Sequence, residues 1–486
     1  MHAFKWNVLG VVMRILLQFG AMIALARLIE PADFGFFGGS LLVYGLAVLM
    51  ADLGLGIALV QRHELTVDIR RAAWGRLLLS HMGVAACVYL GAPWFADFMG
   101  APDLQDGIRS MAPVVLITAF MVMPMVELRR RMDFRRMQMA QVAGYFVGYV
   151  LIAIPLAFMG WGGWSLVMAL GAQQIVMAVI CIHAAPQPLR PRWATLPHGL
   201  PAFGLRVVVS NMANWVTENL DNLLVARFKG LAALGVYSVS YSLARTPVNH
   251  VVNMIQQVVF ATSSRVQNDD ASLARGYLAL LKAVGLVTLP VFFGAAVVAD
   301  SVIEGLYGAR WAQAGPVFAA LCVAMPFHAL MAVAGPILWG RGRTGVELKV
   351  QIWVAATLLL VLLVLRDQSL AALAWGVSGV YAGRAIWMTS ALARDLNIAP
   401  ARILRALLSP VLLSVATMIV LSLLDYLFAS TSSAVSRLAG LICGAGAGLL
   451  LIMLCCPQRL LGEELAFLFA RVPFLRRLRS IRGMEF

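Results

Sequence analysis

Charged residues are scarce in this sequence. Asp, Glu, Lys and Arg together make up 13% of the 486 residues, whereas hydrophobic residues make up 61%. So few charges cannot cover the surface of a water-soluble protein of this size, which excludes a soluble globular fold. The apolar residues form blocks of roughly 20 residues, the length of a membrane-spanning helix, and they lack the period-two alternation of a β-barrel. The composition therefore predicts an all-α, polytopic membrane protein.

The sequence also lacks every motif that would indicate an enzyme. It has no Walker A loop, no Gly-x-Ser-x-Gly and no metal-spaced set of His, Cys or Asp, and its loops are too short for a catalytic domain. The six cysteines lie in apolar segments without disulfide or metal spacing. We therefore predict no catalytic residue, no metal and no cofactor. Without an ATP site, any transport would be driven by an ion gradient, the membrane potential or a substrate gradient.

Apolar runs separated by charged clusters or Pro/Gly turns predict about fourteen transmembrane helices. The predicted spans are 6–28, 34–60, 72–96, 108–127, 139–159, 163–183, 201–226, 233–260, 277–299, 313–339, 347–365, 370–393, 403–428 and 434–456.

The net charge of +15 is explained by orientation in a membrane, so nucleic acid is not an expected partner. If the N-terminus is cytoplasmic, far more of the 38 Lys and Arg residues fall in cytoplasmic loops than in outer loops. This asymmetry predicts that both termini are cytoplasmic.

An internal repeat divides the chain. Residues 26–37 align with residues 226–237 at a constant offset of 200, and Ala, Arg, Ala and Gly are identical in the two segments. Both segments join the first two helices of a six-helix half, which predicts two lobes related by a parallel pseudo-repeat. The predicted domains are the N-terminal lobe 1–183, a cytoplasmic linker 184–200, the C-terminal lobe 201–394, two additional helices in 395–456, and a basic amphipathic tail 457–486 that rests on the membrane surface.

Several charged and polar side chains fall inside the predicted helices, where charge is costly unless it faces a cavity or a partner. Arg14 shares a helix face with Asn7 and Gln18. The seventh and eighth predicted helices carry polar stripes, formed by Asn211, Asn214, Glu218 and Asp221 and by Ser242, Arg245, Asn249, Asn253 and Gln256. In the alignment at an offset of 200, Arg14 corresponds to Asn214 and Gln18 corresponds to Glu218. This correspondence predicts that the polar faces of the first and seventh predicted helices line one cavity.

Structural roles compete with this interpretation. Arg206 and Lys282 lie near predicted helix ends, where we expect their side chains to extend towards the interface. Arg384 follows a glycine-rich helix face and serves either helix contact or a site. Arg14 or Arg245 could instead form a neutralising pair with Asp52 or Glu218, and Asp221 could lie at the interface. The single histidines His81 and His328 are interpreted as packing or hydrogen-bonding residues.

Two segments near the N-terminus, Leu25–Gly35 and Ala51–Arg62, resemble the polysaccharide transporter (oligosaccharide flippase) family of the multidrug/oligosaccharidyl-lipid/polysaccharide exporter superfamily. The resemblance implies a V-shaped pair of six-helix lobes that opens a central cavity alternately to each side. It also implies a cargo, an undecaprenyl-diphosphate-linked oligosaccharide for lipopolysaccharide, capsule or exopolysaccharide, moved to the periplasmic leaflet of the bacterial inner membrane.

Guanidinium groups match phosphate oxygens bidentately, which makes arginines the natural ligands of such a cargo. The candidate diphosphate ligands are Arg14, Arg245 and Arg384; the candidate sugar ligands are Asn211, Asn214, Asn249 and Asn253; and the candidate ion-coupling residues are Asp52, Glu218 and Asp221. The expected partners are the lipid-linked oligosaccharide and membrane lipids. A coupling cation, H⁺ or Na⁺, and glycan-assembly proteins are compatible with the same interpretation.

Three alternatives stay open at this point. A drug/cation antiporter of the same superfamily would need a cavity dominated by carboxylates and aromatic residues. A lipid II flippase would need much the same cationic cavity and would differ only in substrate. A membrane subunit of a glycan-synthesis complex would need no transport at all.

Overall fold

The structure is a computed structural model, and it describes residues 2–62, 64–186, 200–263, 269–428 and 433–455. The chain divides into two compact units, an N-terminal unit (Met1–Ser238) and a C-terminal unit (Val239–Phe486). The boundary between them falls in the helical segment Leu200–Ser263, after its break at Gly230. The predicted tail 457–486 and most of the predicted linker 184–200 lie outside the described residues, and the predicted lobe boundaries remain predictions.

Among the described residues, the N-terminal unit contains eight α-helices, one π-helix and the first part of a ninth α-helix. Their bounds are α1 (His2–Leu28), α2 (Pro31–Ala51), α3 (Leu55–Gln61), α4 (Val67–Phe98), α5 (Leu104–Arg130), α6 (Phe134–Tyr145), a π-helix (Phe146–Ala153), α7 (Ile154–Phe158), α8 (Gly163–Ala184) and α9 (Leu200–Ser263). Helix α5 packs against α2, α4 and α8, and α1 packs against α6. The π-helix leads directly into Pro155, whose missing N–H cannot continue the regular hydrogen-bond pattern.

The C-terminal unit continues with α10 (Asp270–Val297), α11 (Ala299–Tyr307), a short 3₁₀ helix (Ala309–Trp311), α12 (Ala314–Gly340), α13 (Thr344–Val364), α14 (Leu370–Asp395), α15 (Pro400–Leu427) and α16 (Ala434–Cys455). Helix α10 packs against α12 and α15, and α14 packs against α12 and α13. Helix α12 is buried along much of its length, which explains why it is apolar on all sides.

The all-α, polytopic prediction is confirmed, and each of the fourteen predicted spans coincides with helix in the structure. Among the described residues, ten helices are long and apolar enough to cross a membrane. One of the ten is α9, which contains two predicted spans and breaks between them at Gly230, where φ is 81°. The single span predicted over 34–60 is wrong in one respect. It is interrupted after Ala51, because Leu53 and Gly54 adopt left-handed backbone conformations.

The residues at the start of α2, including Pro31 and Asp33, have specific structural roles. Pro31 occupies the first turn of the helix, where no N–H is needed. Asp33 accepts a hydrogen bond at 2.9 Å from the Gly163 N–H, at the start of α8, and so caps that helix. The loop after Phe158 is thereby fixed against the beginning of α2.

The repeated glycines meet in space. A Cβ on Gly35 would lie 1.7 Å from the Leu231 carbonyl oxygen, and a Cβ on Gly235 would lie 1.8 Å from the Pro31 carbonyl oxygen. Any side chain at either position would therefore force the two backbones apart. The two contacts are related by the 200-residue offset that the sequence repeat shows, so the matching glycines have a common structural reason.

Many of the basic residues near helix ends have structural partners. In the N-terminal unit, Glu127 accepts a hydrogen bond from Arg131 at 2.7 Å. In the C-terminal unit, Arg341 bridges Asp270 at 2.6 Å and Asp395 at 2.5 Å, which ties together the ends of α10, α12 and α14. A high count of arginines in these loops thus reflects helix anchoring as well as orientation.

Candidate functional site

A cavity of about 430 Å³, lined by both polar and apolar side chains, lies inside the N-terminal unit. Its walls come from helices α1 to α6 and α8. The polar residues that line it are Arg14, Gln18, Tyr44, Asp52, His81, Thr118, Arg129, Gln141, Tyr145, Gln173 and Gln174. Such a concentration of polar groups among spanning helices indicates a binding site or a wet pathway.

Arg14 projects from α1 into this cavity. Its guanidinium donates to the side-chain oxygen of Gln141 on α6. Among the described residues it forms no ion pair, so the predicted neutralising pair with Asp52 or Glu218 is absent from this part of the chain. A neutral amide fixes the position of the guanidinium without cancelling its charge. Arg14 therefore presents positive charge to the cavity.

Asp52 reaches the same cavity from the turn between α2 and α3. Its carboxylate accepts a hydrogen bond from the Gly56 backbone N–H and interacts electrostatically with Arg129, near the end of α5. The carboxylate thus serves as a cap for the broken helix, which holds it in place. Asp52 is the only acidic residue among the described residues that line the cavity, whereas Arg14 and Arg129 are both basic.

Two hydrogen-bond acceptors in the cavity wall have no partner among the described residues. The His81 Nδ1 lies 2.7 Å from the Leu77 carbonyl oxygen, and a carbonyl can only accept, so Nδ1 carries the proton. In the neutral ring the second nitrogen, Nε2, is then an acceptor, and it has no donor among the described residues. The Oε1 atom of Gln174 is likewise buried without a donor. Buried acceptors of this kind are uncommon and call for an explanation.

A second cluster of charged and aromatic residues lies in the C-terminal unit. Arg245 lies over the Tyr241 ring, with its guanidinium carbon 5.3 Å from the ring centre. The Tyr241 hydroxyl is 2.8 Å from the Tyr381 hydroxyl, and the Tyr381 ring meets the His328 ring edge-on at 5.8 Å. Arg245 and Arg384 both act electrostatically on His328. The two predicted arginines of this unit therefore belong to one cluster.

Arg384 also has an acidic partner. Its guanidinium lies 3.8 Å from the Glu347 carboxylate on α13, and both side chains are largely buried. The neighbouring Gly383 lies against the Trp353 ring, where a Cβ would come within 2.6 Å. This part of α14 therefore provides both a close helix contact and an ion pair.

The prediction that Lys282 extends to the interface is wrong, because its side chain is only 5% exposed. Arg206, by contrast, is exposed.

The polar residues predicted to form a stripe on the first part of α9 differ in exposure. Asn211, Asn214 and Glu218 are exposed. Asp221 is only 2% exposed, and it accepts a hydrogen bond at 2.8 Å from the buried Tyr237 hydroxyl. The alternative that it lies at the depth of the membrane interface stays a prediction. Beyond Gly230, Asn249 is half-buried. The side chains of Asn7 and Asn253 lie outside the described residues.

Sequence reasoning missed several members of the cavity. Arg129 falls outside the predicted span 108–127, and the predicted site residues do not include Gln141, Gln173, Gln174 or Tyr145. No charge marks the glutamines or the tyrosine. A glutamine pair inside a predicted span, such as Gln173 and Gln174, is the signal that could have indicated a cavity wall.

The arrangement suits recognition of an anion attached to a hydroxylated group. Two arginines and several amide N–H groups can donate to phosphate oxygens. Among the described residues, no group of three or more His, Cys, Asp or Glu side chains could hold a metal ion.

The fold and the cavity define a multi-pass, all-helical membrane protein with a cationic interior. Solved structures share this fold. The inward closed form of the lipid II flippase MurJ has a TM-score of 0.72 at 11% identity, covering 92% of this chain and 98% of that one. An inward-facing multidrug resistance MATE family transporter of the MOP superfamily has a TM-score of 0.63 at 15% identity, covering 80% of this chain and 96% of that one.

Sequence relatives are more specific. Residues 24–316 match the family described as "Polysaccharide biosynthesis protein", and this chain belongs to that family. It is 24% identical to the lipopolysaccharide biosynthesis protein WzxC of Escherichia coli (strain K12), over 72% of this chain and 71% of the relative. It is 27% identical to the succinoglycan biosynthesis transport protein ExoT of Rhizobium meliloti (strain 1021), over 70% and 69%. The family indicated by Leu25–Gly35 and Ala51–Arg62 is confirmed.

Proposed function

We propose that this protein is a flippase for an undecaprenyl-diphosphate-linked oligosaccharide, a precursor of lipopolysaccharide, capsule or exopolysaccharide. It moves this lipid from the cytoplasmic to the periplasmic leaflet of the bacterial inner membrane by alternating access. The observation that carries the proposal is the cavity in the N-terminal unit, where Arg14 and Arg129 outnumber the single carboxylate of Asp52 among the described lining residues.

The charge of the substrate explains why the cavity is needed. A diphosphate cannot enter hydrocarbon without a large desolvation cost, and that cost falls when cationic and amide donors replace water. Arg14 is already oriented by Gln141, so little side-chain freedom is lost when an anion binds. Arg245 and Arg384 supply further positive charge in the C-terminal unit.

The names of the relatives support a role in glycan export. One is called a transport protein for succinoglycan biosynthesis, and another belongs to lipopolysaccharide biosynthesis. A cation antiporter is less well supported, because a cavity with two arginines and one capped carboxylate repels cations. A lipid II flippase shares the required chemistry, so the glycan must be identified by experiment.

The membrane orientation and the energy source are part of the same proposal. Both termini lie in the cytoplasm, in line with the distribution of basic loops. Asp52, Glu218 and Asp221 stay the candidates for coupling to H⁺ or Na⁺. Glycan-assembly proteins are the expected partners in the membrane, and the protein itself carries out no covalent chemistry.

A flipping assay in reconstituted vesicles tests the proposal. The purified protein is placed in liposomes with a fluorescent short-chain isoprenyl diphosphate hexose, and a membrane-impermeant reductant quenches the probe in the outer leaflet. Protein-containing vesicles are expected to lose the protected signal much faster than protein-free vesicles. The same rate in both, with the protein folded and with either ion gradient applied, would overturn the proposal.

A further inference from the structure

The cavity in the N-terminal unit holds more acceptors than an anion site requires. A diphosphate ester offers only acceptor oxygens when it is ionised, so it satisfies the N–H groups of Arg14 and Arg129. It gives nothing to the His81 Nε2 or to the Gln174 Oε1, which are buried acceptors without donors among the described residues. A ligand that complements the whole wall must carry hydrogen-bond donors, such as the hydroxyls of a sugar, as well as phosphate acceptors.

We propose that His81 and Gln174 form a glycosyl subsite, which binds hydroxyls of the sugar attached directly to the diphosphate while Arg14 binds the phosphate. The proposal rests on the proposed function, since it assigns part of the same cavity to a second portion of the same lipid-linked substrate. The ligand class is a hexose or modified hexose.

The tautomer of His81 makes its contribution specific. Because Nδ1 donates to the Leu77 carbonyl at 2.7 Å, the ring is fixed with Nε2 as an acceptor. His81 is fully covered in this conformation, so a sugar hydroxyl reaches it only after neighbouring side chains in the wall move apart. Binding of the sugar then supplies the donor that Nε2 lacks.

Tyr145 gives the subsite an apolar face. It lines the cavity and stacks on Tyr149, with ring centres 4.4 Å apart and planes 13° from parallel. A sugar ring has an apolar C–H face and a rim of hydroxyls, and a fixed aromatic ring with a polar tip complements both. Gln141 and Gln173 add amide groups on neighbouring helices.

The size of the cavity agrees with this assignment. About 430 Å³ is at the lower end of small-ligand sites, which suits one sugar with its phosphate and is too small for a long oligosaccharide. The cavity would then recognise the linkage between lipid and glycan, whatever sugars follow.

A binding experiment with three probes, one without a sugar and two with a hexose, separates the sugar from the phosphate. Full-length protein in nanodiscs is titrated with undecaprenyl diphosphate and with undecaprenyl-diphosphate-linked glucose or galactose. His81→Phe and Gln174→Leu are each expected to weaken binding of a hexose-bearing probe about tenfold and to leave binding of the bare diphosphate unchanged. His81→Gln, whose amide oxygen can accept, is expected to recover part of the loss.

His183 supplies a matched control. Its Nδ1 lies 2.8 Å from the Val179 carbonyl oxygen in the same geometry, but the ring is exposed and does not line the cavity. His183→Phe is expected to leave both affinities unchanged. Thermal unfolding in detergent identifies a variant that fails to fold, and Gln174→Leu on α8 then carries the test independently of His81.

The outcomes distinguish this inference from the proposed function. If both variants bind the bare diphosphate and both hexose-bearing probes as wild type does, the glycosyl subsite is wrong. An equal loss for bare and hexose-bearing probes also overturns it, because His81 would then serve the phosphate or a proton. Arg14→Gln is expected to weaken binding of all the probes, and a wild-type protein that binds none of them would overturn the proposed function itself.

Discussion

The two units hold their interior arginines in different ways. In the N-terminal unit, Arg14 is fixed by the neutral amide of Gln141 and faces a cavity. In the C-terminal unit, Arg245 lies over an aromatic ring and Arg384 faces the carboxylate of Glu347. The first arrangement keeps its charge available for an anion, whereas the second balances part of its charge within the protein. Transport should therefore depend most strongly on Arg14.

Arg14→Gln is expected to cause the largest loss. It removes a charge that donates to the substrate in a low-dielectric cavity, and two charged hydrogen bonds of about 1.5–3 kcal/mol each correspond to about a 100-fold or greater reduction. The initial rate of flipping of the fluorescent isoprenyl diphosphate hexose in vesicles measures the effect.

Arg109→Gln is the control for this comparison. Arg109 lies over the Tyr89 ring at 5.5 Å and is paired with Asp106, at a distance from the cavity. Its removal is expected to leave flipping within about twofold of wild type. Equal losses for Arg14→Gln and Arg109→Gln would mean that general charge and not the cavity determines the rate.

Arg245→Gln is expected to reduce flipping by about tenfold, less than Arg14→Gln, because the ring of Tyr241 and the neighbouring Arg384 already share its environment. The rate is measured in the same vesicles at equal protein content. A loss as large as that of Arg14→Gln would remove the proposed difference between the units.

Tyr237→Phe tests a charge that is satisfied within the protein. It removes the Tyr237 hydroxyl that donates to Oδ2 of the buried Asp221 and leaves the Asn222 N–H donating to Oδ1, which should lower the free energy of unfolding by about 1–3 kcal/mol. Denaturant or thermal unfolding in detergent measures that change. Flipping per folded molecule should be unchanged, and altered dependence on H⁺ or Na⁺ would instead support Asp221 as a coupling residue.

Glu347→Gln is expected to have the smallest effect. The 3.8 Å separation from Arg384 is long for an ion pair, so its loss should change flipping by less than about threefold. Because the substitution also removes a negative charge beside Arg384, the affinity for undecaprenyl diphosphate should rise slightly or stay constant. A clear fall in that affinity would show that the pair positions Arg384 for the substrate.

Much of the fold could be predicted from the sequence. Blocks of apolar residues locate all fourteen predicted spans, since a membrane helix must satisfy its backbone internally and face hydrocarbon outside. The repeated glycines at 35 and 235 were visible as a pattern, but only the structure reveals that each lies against the other's segment. The break after Ala51 was missed, because Asp52 was interpreted as a functional charge inside one long span and Gly54 as a tolerated glycine, although both residues favour turns.

The site was predictable only in part. Arg14 and Asp52 were identified because charge is rare in a spanning segment, and the structure brings both to one cavity. Which charges are balanced depends on contacts between distant residues, such as Asp221 with Tyr237 and Arg384 with Glu347, and periodicity does not specify these. The glutamines and His81 carry no net charge and so gave no comparable signal.

The most direct test of the central claim is the position of the substrate phosphates. Cryo-electron microscopy of the full-length protein in nanodiscs with an undecaprenyl-diphosphate-linked hexose should show phosphate density within hydrogen-bond distance of the Arg14 guanidinium, inside the cavity lined by Arg129 and Gln141. An empty cavity at saturating substrate, with the phosphates bound elsewhere in the protein, would contradict the account.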